Sequence, residues 1–146
     1  MMAANNGALK DIRVIEMGQL LAGPFCGQLL GDMGAEVIKV ERPGSGDDTR
    51  GWGPPFLRDT DGNDTAESAY YLCANRNKRS LTVDIATEEG QAVIRRLVMQ
   101  SDVLVENFKV GDMARYGLDA ATLRAANPRL VYCSITGFGQ DGPYAQ

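Results

Sequence analysis

The sequence predicts an α/β protein built on a doubly wound, mostly parallel sheet of Rossmann-like form, and three observations predict it. Short apolar runs alternate with amphipathic segments along the chain, the pattern of strands covered by helices. The first strand, the first helix and the second strand fit within about 30 residues, a βαβ unit whose strands must run parallel. At 146 residues, without internal repeats, the chain has the size of one domain with one core.

Residues 1 to 8 are small and polar and are expected to form a flexible tail. In "DIRVIEM", Ile12, Val14 and Ile15 make a short strand that stops at Gly18. A helix follows: Pro24 suits its first position, Gly34 the left-handed position after its last turn, and Phe25, Leu29, Leu30 and Met33 fall on one stripe. "EVIKVER" is the second strand, stopped by Pro43 and Gly44. Residues 43 to 69 are dense in Gly, Pro and Asp and lack an apolar period, which predicts a long loop, functional or mobile.

After "YYLCANRNKR" the run "SLTVDI" predicts a strand. The next helix has Thr87 as N-cap and Glu88 and Glu89 in its positive first turn. Val93, Ile94, Leu97 and Val98 form its buried stripe, and Arg95 and Arg96 its wet face. "DVLVENF" is almost wholly apolar, as a strand covered on both faces should be. A further helix begins at Asp119, with Leu118 and Leu123 spaced as a hydrophobic staple, and ends by Asn127 because Pro128 follows. "RLVYCSI" supplies the last strand before the glycine-rich "TGFGQDGPYAQ".

Composition narrows the function. Fifteen basic and 19 acidic residues give a net charge of −4, so the chain carries no overall electrostatic footprint for nucleic acid or an anionic membrane. No run of about 18 apolar residues and no secretory signal is present, and a cytoplasmic location is expected. Cys26, Cys73 and Cys133 are far apart and form no Cys-x-x-Cys, which speaks against zinc or disulfides; they are expected to be small core residues, and no metal site is expected. Histidine is absent, which removes Ser-His-Asp and Cys-His catalysis.

Parallel sheets bind ligands at the carboxyl ends of their strands, here Gln19 to Gly23, Glu41 and Arg42, Asn107 and Phe108, and Thr136 to Phe138. "GQLLAGPF" keeps the outer glycine spacing of a P-loop through Gly18 and Gly23. Pro24 and Phe25, however, stand where that motif needs a lysine and a hydroxyl, so ATP chemistry is not indicated. The dinucleotide fingerprint also fails, for no Gly-x-Gly precedes the helix, although Glu41 keeps a ribose contact open. A helix N-terminus with free N–H groups remains, an anion seat contributing about 0.3–1 kcal/mol per charge. "NRNKRS" is either a solvated charged loop or a polyanion contact, and Arg42 either pairs with Glu41 or meets a ligand. Asn107 could cap the following turn, Phe108 could be core, and Arg115 could pair with Asp112.

Together, "AGPFCGQLLGDMGAEVIKVERPGSGDDTRGW", "NRNKRSLTVD", "DVLVENF" and "NPRLVYCSITGFGQDGPYA" strongly resemble the amino-terminal part of family III CoA-transferases. This is the CaiB/BaiF group, which includes formyl-CoA transferase, carnitine CoA-transferase and alpha-methylacyl-CoA racemase. The resemblance runs from about Leu9 to the end. It implies that residues 9–146 are a CoA-binding Rossmann-like domain, part of the large domain of such an enzyme. By position it implies that Gln19, Leu20 and Ala22 line the CoA path and that Arg42 meets the adenosine and phosphate end. Asn77, Lys78 and Arg79 would contact the nucleotide, Asn107, Phe108, Arg115 and Tyr116 would line the opposite wall, and Thr136 would lie towards the active site. Formyl-CoA transferase has a glutamine directly before Ala-Gly-Pro; here that position is Leu21, with Gln19 two places earlier.

The implied activity moves CoA from an acyl-CoA to a carboxylic acid acceptor. An ionised aspartate attacks the thioester, the C–S bond breaks to release CoA thiolate, and the mixed anhydride passes the chemistry to the acceptor carboxylate. That aspartate is expected beyond Gln146, so the chain looks truncated before the catalytic region and no catalytic residue is assigned within it. The resemblance also implies an interlocked homodimer in full-length relatives. The alternatives are a racemase of the same family, or a non-catalytic module binding CoA or a dinucleotide.

Overall fold

A computed structural model describes residues 7 to 145. In chain order its elements are β1 Arg13–Glu16, α1 Ala22–Asp32, β2 Glu36–Glu41, a 3-10 turn Asp48–Gly51, β3 Phe56–Arg58, β4 Asp64–Ser68, α2 Ala69–Asn75, β5 Lys78–Thr82, α3 Glu88–Val98, β6 Val103–Glu106, α4 Asp112–Arg115, α5 Ala120–Ala126 and β7 Val131–Ser134. The tail expected at residues 1 to 8 lies outside the described residues, apart from Gly7 and Ala8. There the Lys10 N–H donates to Gly7 O at 3.1 Å, and the Leu9 N–H donates to Met33 O at 3.0 Å, at the end of α1.

Five strands form one wholly parallel sheet in the order β5-β2-β1-β6-β7. Side chains alternate across it, as the period of a strand requires. Val14, Val37 and Val105 face Cys26 and Leu30 of α1. Ile15, Val40 and Leu104 face Ile94 and Val98 of α3 and Leu123 of α5. This is the doubly wound arrangement that the alternating sequence predicts. The caps of α3 and α5 also stand where expected: Thr87 Oγ1 accepts the Gly90 N–H at 3.1 Å, and Asp119 Oδ1 accepts the Thr122 N–H at 3.1 Å. No helix among the described residues is long and apolar enough to cross a membrane.

Four expectations are corrected. Of the stripe on α1 only Leu30 packs on the sheet; Phe25, Leu29 and Met33 face outward, 47 %, 45 % and 46 % exposed, whereas Gly23, Pro24, Gly27 and Gln28 are buried. The helix approaches the sheet so closely that a Cβ on Gly27 would lie 2.9 Å from Glu16 Cγ; proximity selects the smallest residues for the inner face, not the most apolar. Pro24 is the third helical residue instead of the first, still within the turn whose N–H groups lack intrahelical acceptors.

Next, residues 43 to 69 are built, not loose: they hold the 3-10 turn and a two-stranded antiparallel hairpin, β3-β4, and the unforeseen helix α2 follows directly. Polar contacts replace the missing apolar period. Asp47 Oδ1 accepts from Thr49 N–H at 2.9 Å, the buried Ser68 hydroxyl donates to Thr49 O, and Ser68 Oγ caps α2 by accepting from Tyr71 N–H at 3.0 Å. Finally, all three cysteines are free, but Cys73 is exposed on α2 and only Cys26 and Cys133 pack against the core.

Candidate functional site

From β1 the chain moves outward to β2 on one side and later returns to β6 on the other, so the loops after β1 and β6 diverge and leave a crevice at this switch point. Gln19 and Asn107 meet across it. Asn107 Oδ1 accepts the Gln19 N–H at 2.8 Å, and Asn107 Nδ2 donates to Gln19 O at 2.8 Å. Leu20 follows at φ 66°, a left-handed conformation that costs a non-glycine residue on the order of 1–3 kcal/mol and persists only when its surroundings enforce it. No side chain caps the first turn of α1, which leaves its N–H groups for another acceptor. The P-loop-like glycine spacing has a packing cause: a Cβ on Gly23 would stand 2.8 Å from Gly18 Cα, so the two ends of the turn touch backbone to backbone. Asn107→Ala is expected to cost about 1–3 kcal/mol, because two partly buried backbone groups of Gln19 lose their partner. Urea denaturation checks this, and an unchanged midpoint would show that the bracket is dispensable.

Two lobes open from the crevice. One, of about 500 Å³, brings together Gln19, Leu20, Arg42, Asn107, Phe108 and Tyr116. The other, of about 830 Å³, holds Ala22 and Thr136 and shares Asn107, Phe108 and Lys109 with the first. Arg115 lines neither lobe; it is exposed, its Nη2 donating to Tyr116 Oη at 2.9 Å and its Nη1 3.7 Å from Asp112, the partner expected for it. Phe108 and Tyr116 are half-buried and pack on the core cluster beneath while remaining part of the wall.

Asn77, Lys78 and Arg79 are not in this cleft. In the parallel register Lys78 lies opposite Val37 and Thr82 opposite Glu41, so the three residues sit at the amino end of β5 and Arg42 at the carboxyl end of β2. Arg79 pairs with Glu36 at 2.9 Å, Asn77 Nδ2 donates to Asp32 at 2.7 Å, and the Lys78 ammonium is buried. What reaches the cleft from β5 is its other end, Val83 to Ala86, together with Lys109 from the β6 loop. Both were missed. "SLTVDI" ends as a strand at Thr82, three residues before the apolar pattern runs out, and the strand-end rule applied to that boundary would have pointed to Val83 and Asp84.

Glu41 is also corrected: it is not the partner of Arg42. Its carboxylate is buried and accepts from Arg50 Nε and Nη2, both at 2.8 Å, from Asp47 N–H at 3.0 Å and from the Ser80 hydroxyl. Burial pushes the carboxyl up, but the Arg50 and Ser80 hydrogen bonds and the Asp47 N–H outweigh it and bring the pKa down to about 2. Arg50 is raised by its hydrogen bonds to Glu41, and the Tyr71 phenol is raised by burial and the Glu41 charge. Arg42, half-exposed, pairs instead with Asp48. A surface pair of this kind is worth about 0–1 kcal/mol and yields easily to a multiply charged anion.

The sequence pattern of CoA-transferase family III matches residues 9–146. The chain belongs to CoA-transferase family III. Within that family it is 59 % identical over 137 residues to the succinate–glutarate CoA-transferase of Agrobacterium fabrum, covering 94 % of this chain and 34 % of that protein. It is 47 % identical over 138 residues to the human succinyl-CoA:glutarate CoA-transferase, covering 94 % of this chain and 30 % of the relative. Among solved structures, a CaiB/BaiF family protein from Brucella suis superposes with a TM-score of 0.89 at 54 % identity, over 96 % of this chain and 36 % of that one. The family III chain therefore spans about a third of the length of the relatives it matches.

Proposed function

We propose that this chain is the CoA-binding part of a family III CoA-transferase, and that the whole protein moves CoA between carboxylic acids through an aspartyl anhydride. The observation that carries the reading is the cleft at the switch point. There Arg42 and Lys109 border a space of about 500 Å³ walled by Phe108, Tyr116 and Val83 to Ala86, and the uncapped start of α1 borders the adjoining lobe at Ala22. These groups suit an adenosine with phosphates: flat apolar walls for a base, cations and N–H groups for anions. The second lobe, beginning at Ala22 and reaching Thr136, continues in the direction a pantetheine arm would take towards a thioester.

The relatives named above are transferases of small dicarboxylates, which supports transfer over racemisation and supports a succinyl-type donor with a dicarboxylate acceptor. In this reading the enzyme is a cytoplasmic homodimer.

Titration calorimetry of the chain with CoA and with dephospho-CoA tests the reading. CoA is expected to bind, dephospho-CoA to bind more weakly, and Arg42→Ala to weaken CoA binding about 10- to 100-fold, the factor of one charge-assisted hydrogen bond. Equal affinity for the two ligands, or for wild type and Arg42→Ala, would remove the phosphate role of this cleft.

A further inference from the structure

Two lysines lie buried under the first turn. Lys39 is 1 % exposed and the Lys78 side chain 2 %, and burying ammonium groups is strongly unfavourable unless they are paired and hydrogen-bonded. Between them sits the buried carboxylate of Glu16, with Oε2 3.2 Å from Lys39 Nζ and 3.1 Å from Lys78 Nζ. Each lysine also reaches a backbone carbonyl of the turn above. Lys39 Nζ donates to Gly18 O at 3.0 Å and Lys78 Nζ to Pro24 O at 2.7 Å, and Lys78 is tied on its other side to Ala74 O at 2.8 Å and Asn75 Oδ1 at 2.7 Å. Asp47 completes the charge balance from the loop after β2. Its Oδ2 lies 2.9 Å from Lys39 Nζ but outside hydrogen-bond alignment, so that contact is electrostatic only.

Gly18 and Pro24 are the two ends of the turn that lines both lobes. We propose that Glu16, Lys39 and Lys78 are positioning residues: they hold the carbonyls at both ends of this turn and so fix the path of the backbone, Gln19 to Gly23, that lines both lobes of the ligand cleft. The proposal rests on the reading of the cleft as a CoA seat. Within a peptide unit the C=O and N–H point in opposite directions. Holding Gly18 O down therefore sends the Gln19 N–H up, where Asn107 Oδ1 accepts it, and the backbone between, with Leu20 at φ 66°, is fixed from both sides. Apolar residues could fill the same space, but they could not hold two carbonyls. In this account Lys78 affects the ligand through the backbone instead of touching it.

Lys39→Met alone would strand the buried Asp47 carboxylate, so the first variant is Lys39→Met with Asp47→Asn, which removes one cation and one anion and leaves Glu16 paired with Lys78. Lys78→Gln, whose shorter reach releases Pro24 O, probes the other end. Amide exchange and chemical shifts of the unliganded chain are compared with CoA titrations. In both variants the Gln19 to Gly23 amides are expected to shift, Gln19 exchange to accelerate about tenfold, and the CoA Kd to rise about tenfold. Val14 and Leu104 amides report any global loss of stability separately. Turn amides identical to wild type would overturn the positioning role whatever the chain binds. If wild type failed to bind CoA while the turn amides still moved, the cleft reading would fall and the hold on the turn would stand.

Discussion

Gly90→Ala is expected to destabilise the chain by about 2 kcal/mol or more, against the usual helical preference. In an ordinary helix interior alanine is favoured over glycine by roughly 1 kcal/mol. Here a Cβ would lie 1.8 Å from the backbone oxygen of Asp84 and 2.6 Å from its carbonyl carbon. No rotamer relieves a clash between a Cβ and a main-chain atom, so α3 and the loop before it must separate. That loop is constrained: Asp84 O accepts from the Thr87 hydroxyl at 2.9 Å and from Thr87 N–H at 3.2 Å, and Thr87 in turn caps α3. Overpacking costs typically about 1–3 kcal/mol, and losing the cap adds about 1 kcal/mol, which together exceed the propensity gain. Because Val83 to Ala86 wall the first lobe, CoA affinity should fall with stability. Gly51→Ala, where a Cβ would meet nothing within 4 Å, is the control and should stay within about 0.5 kcal/mol of wild type. Thermal melts of the two variants decide the matter, and equal melting temperatures would refute the clash.

Much of this architecture was legible because its signals are local. The Thr87 and Asp119 caps, the Leu118–Leu123 staple and the alternating runs depend on residues within a few positions of each other, and all appear where the pattern puts them. The carboxyl-end rule was legible for a related reason, since it needs only the strand boundaries, and it named Gln19 and Asn107, which the strand order of the fold brings together. What failed depended on distant partners. The segment from 43 to 69 is ordered by Arg50 reaching Glu41, Glu67 and Tyr71 and by Ser68 reaching back to Thr49, contacts that no periodicity reveals. The cation-rich "NRNKRS" resembled a ligand site, yet Arg76 pairs with Asp32 and Arg79 with Glu36, because β5 enters the sheet at the edge away from the cleft. Direction along a strand, not charge density, separates a binding loop from a surface one.

Glu41→Ala is expected to cost about 3 kcal/mol at neutral pH and to remove most of that difference in acid. Glu41 is the last residue of β2, and its carboxylate gathers the loop after it through Asp47 N–H and both arms of Arg50. Removing it leaves a partly buried guanidinium with only Glu67 to answer its charge, a loss of the kind that costs about 3–5 kcal/mol. Linkage gives a similar figure independently. The carboxyl falls from an ordinary 4.5 to about 2 in the fold, and at about 1.4 kcal/mol per pH unit this corresponds to roughly 3 kcal/mol, less some screening where Arg50 meets water. The sign follows from the direction of the shift. A carboxyl depressed by folding stabilises fully above its unfolded value and loses that contribution as pH falls through the window from about 4.5 to about 2. Glu36 and Asp32 are also depressed but lie outside that loop and titrate in wild type and variant alike, so the difference between the two reports Glu41 and the loop it gathers. Urea melts at pH 7, 4 and 2.5 should therefore show the two stabilities converging as acid is added. Parallel curves would mean that the Glu41–Arg50 pair contributes no net stability. The adjoining Arg42 makes the same variant a functional probe, for once the loop after β2 loosens, its side chain loses its place at the mouth of the cleft and CoA affinity should fall at pH 7.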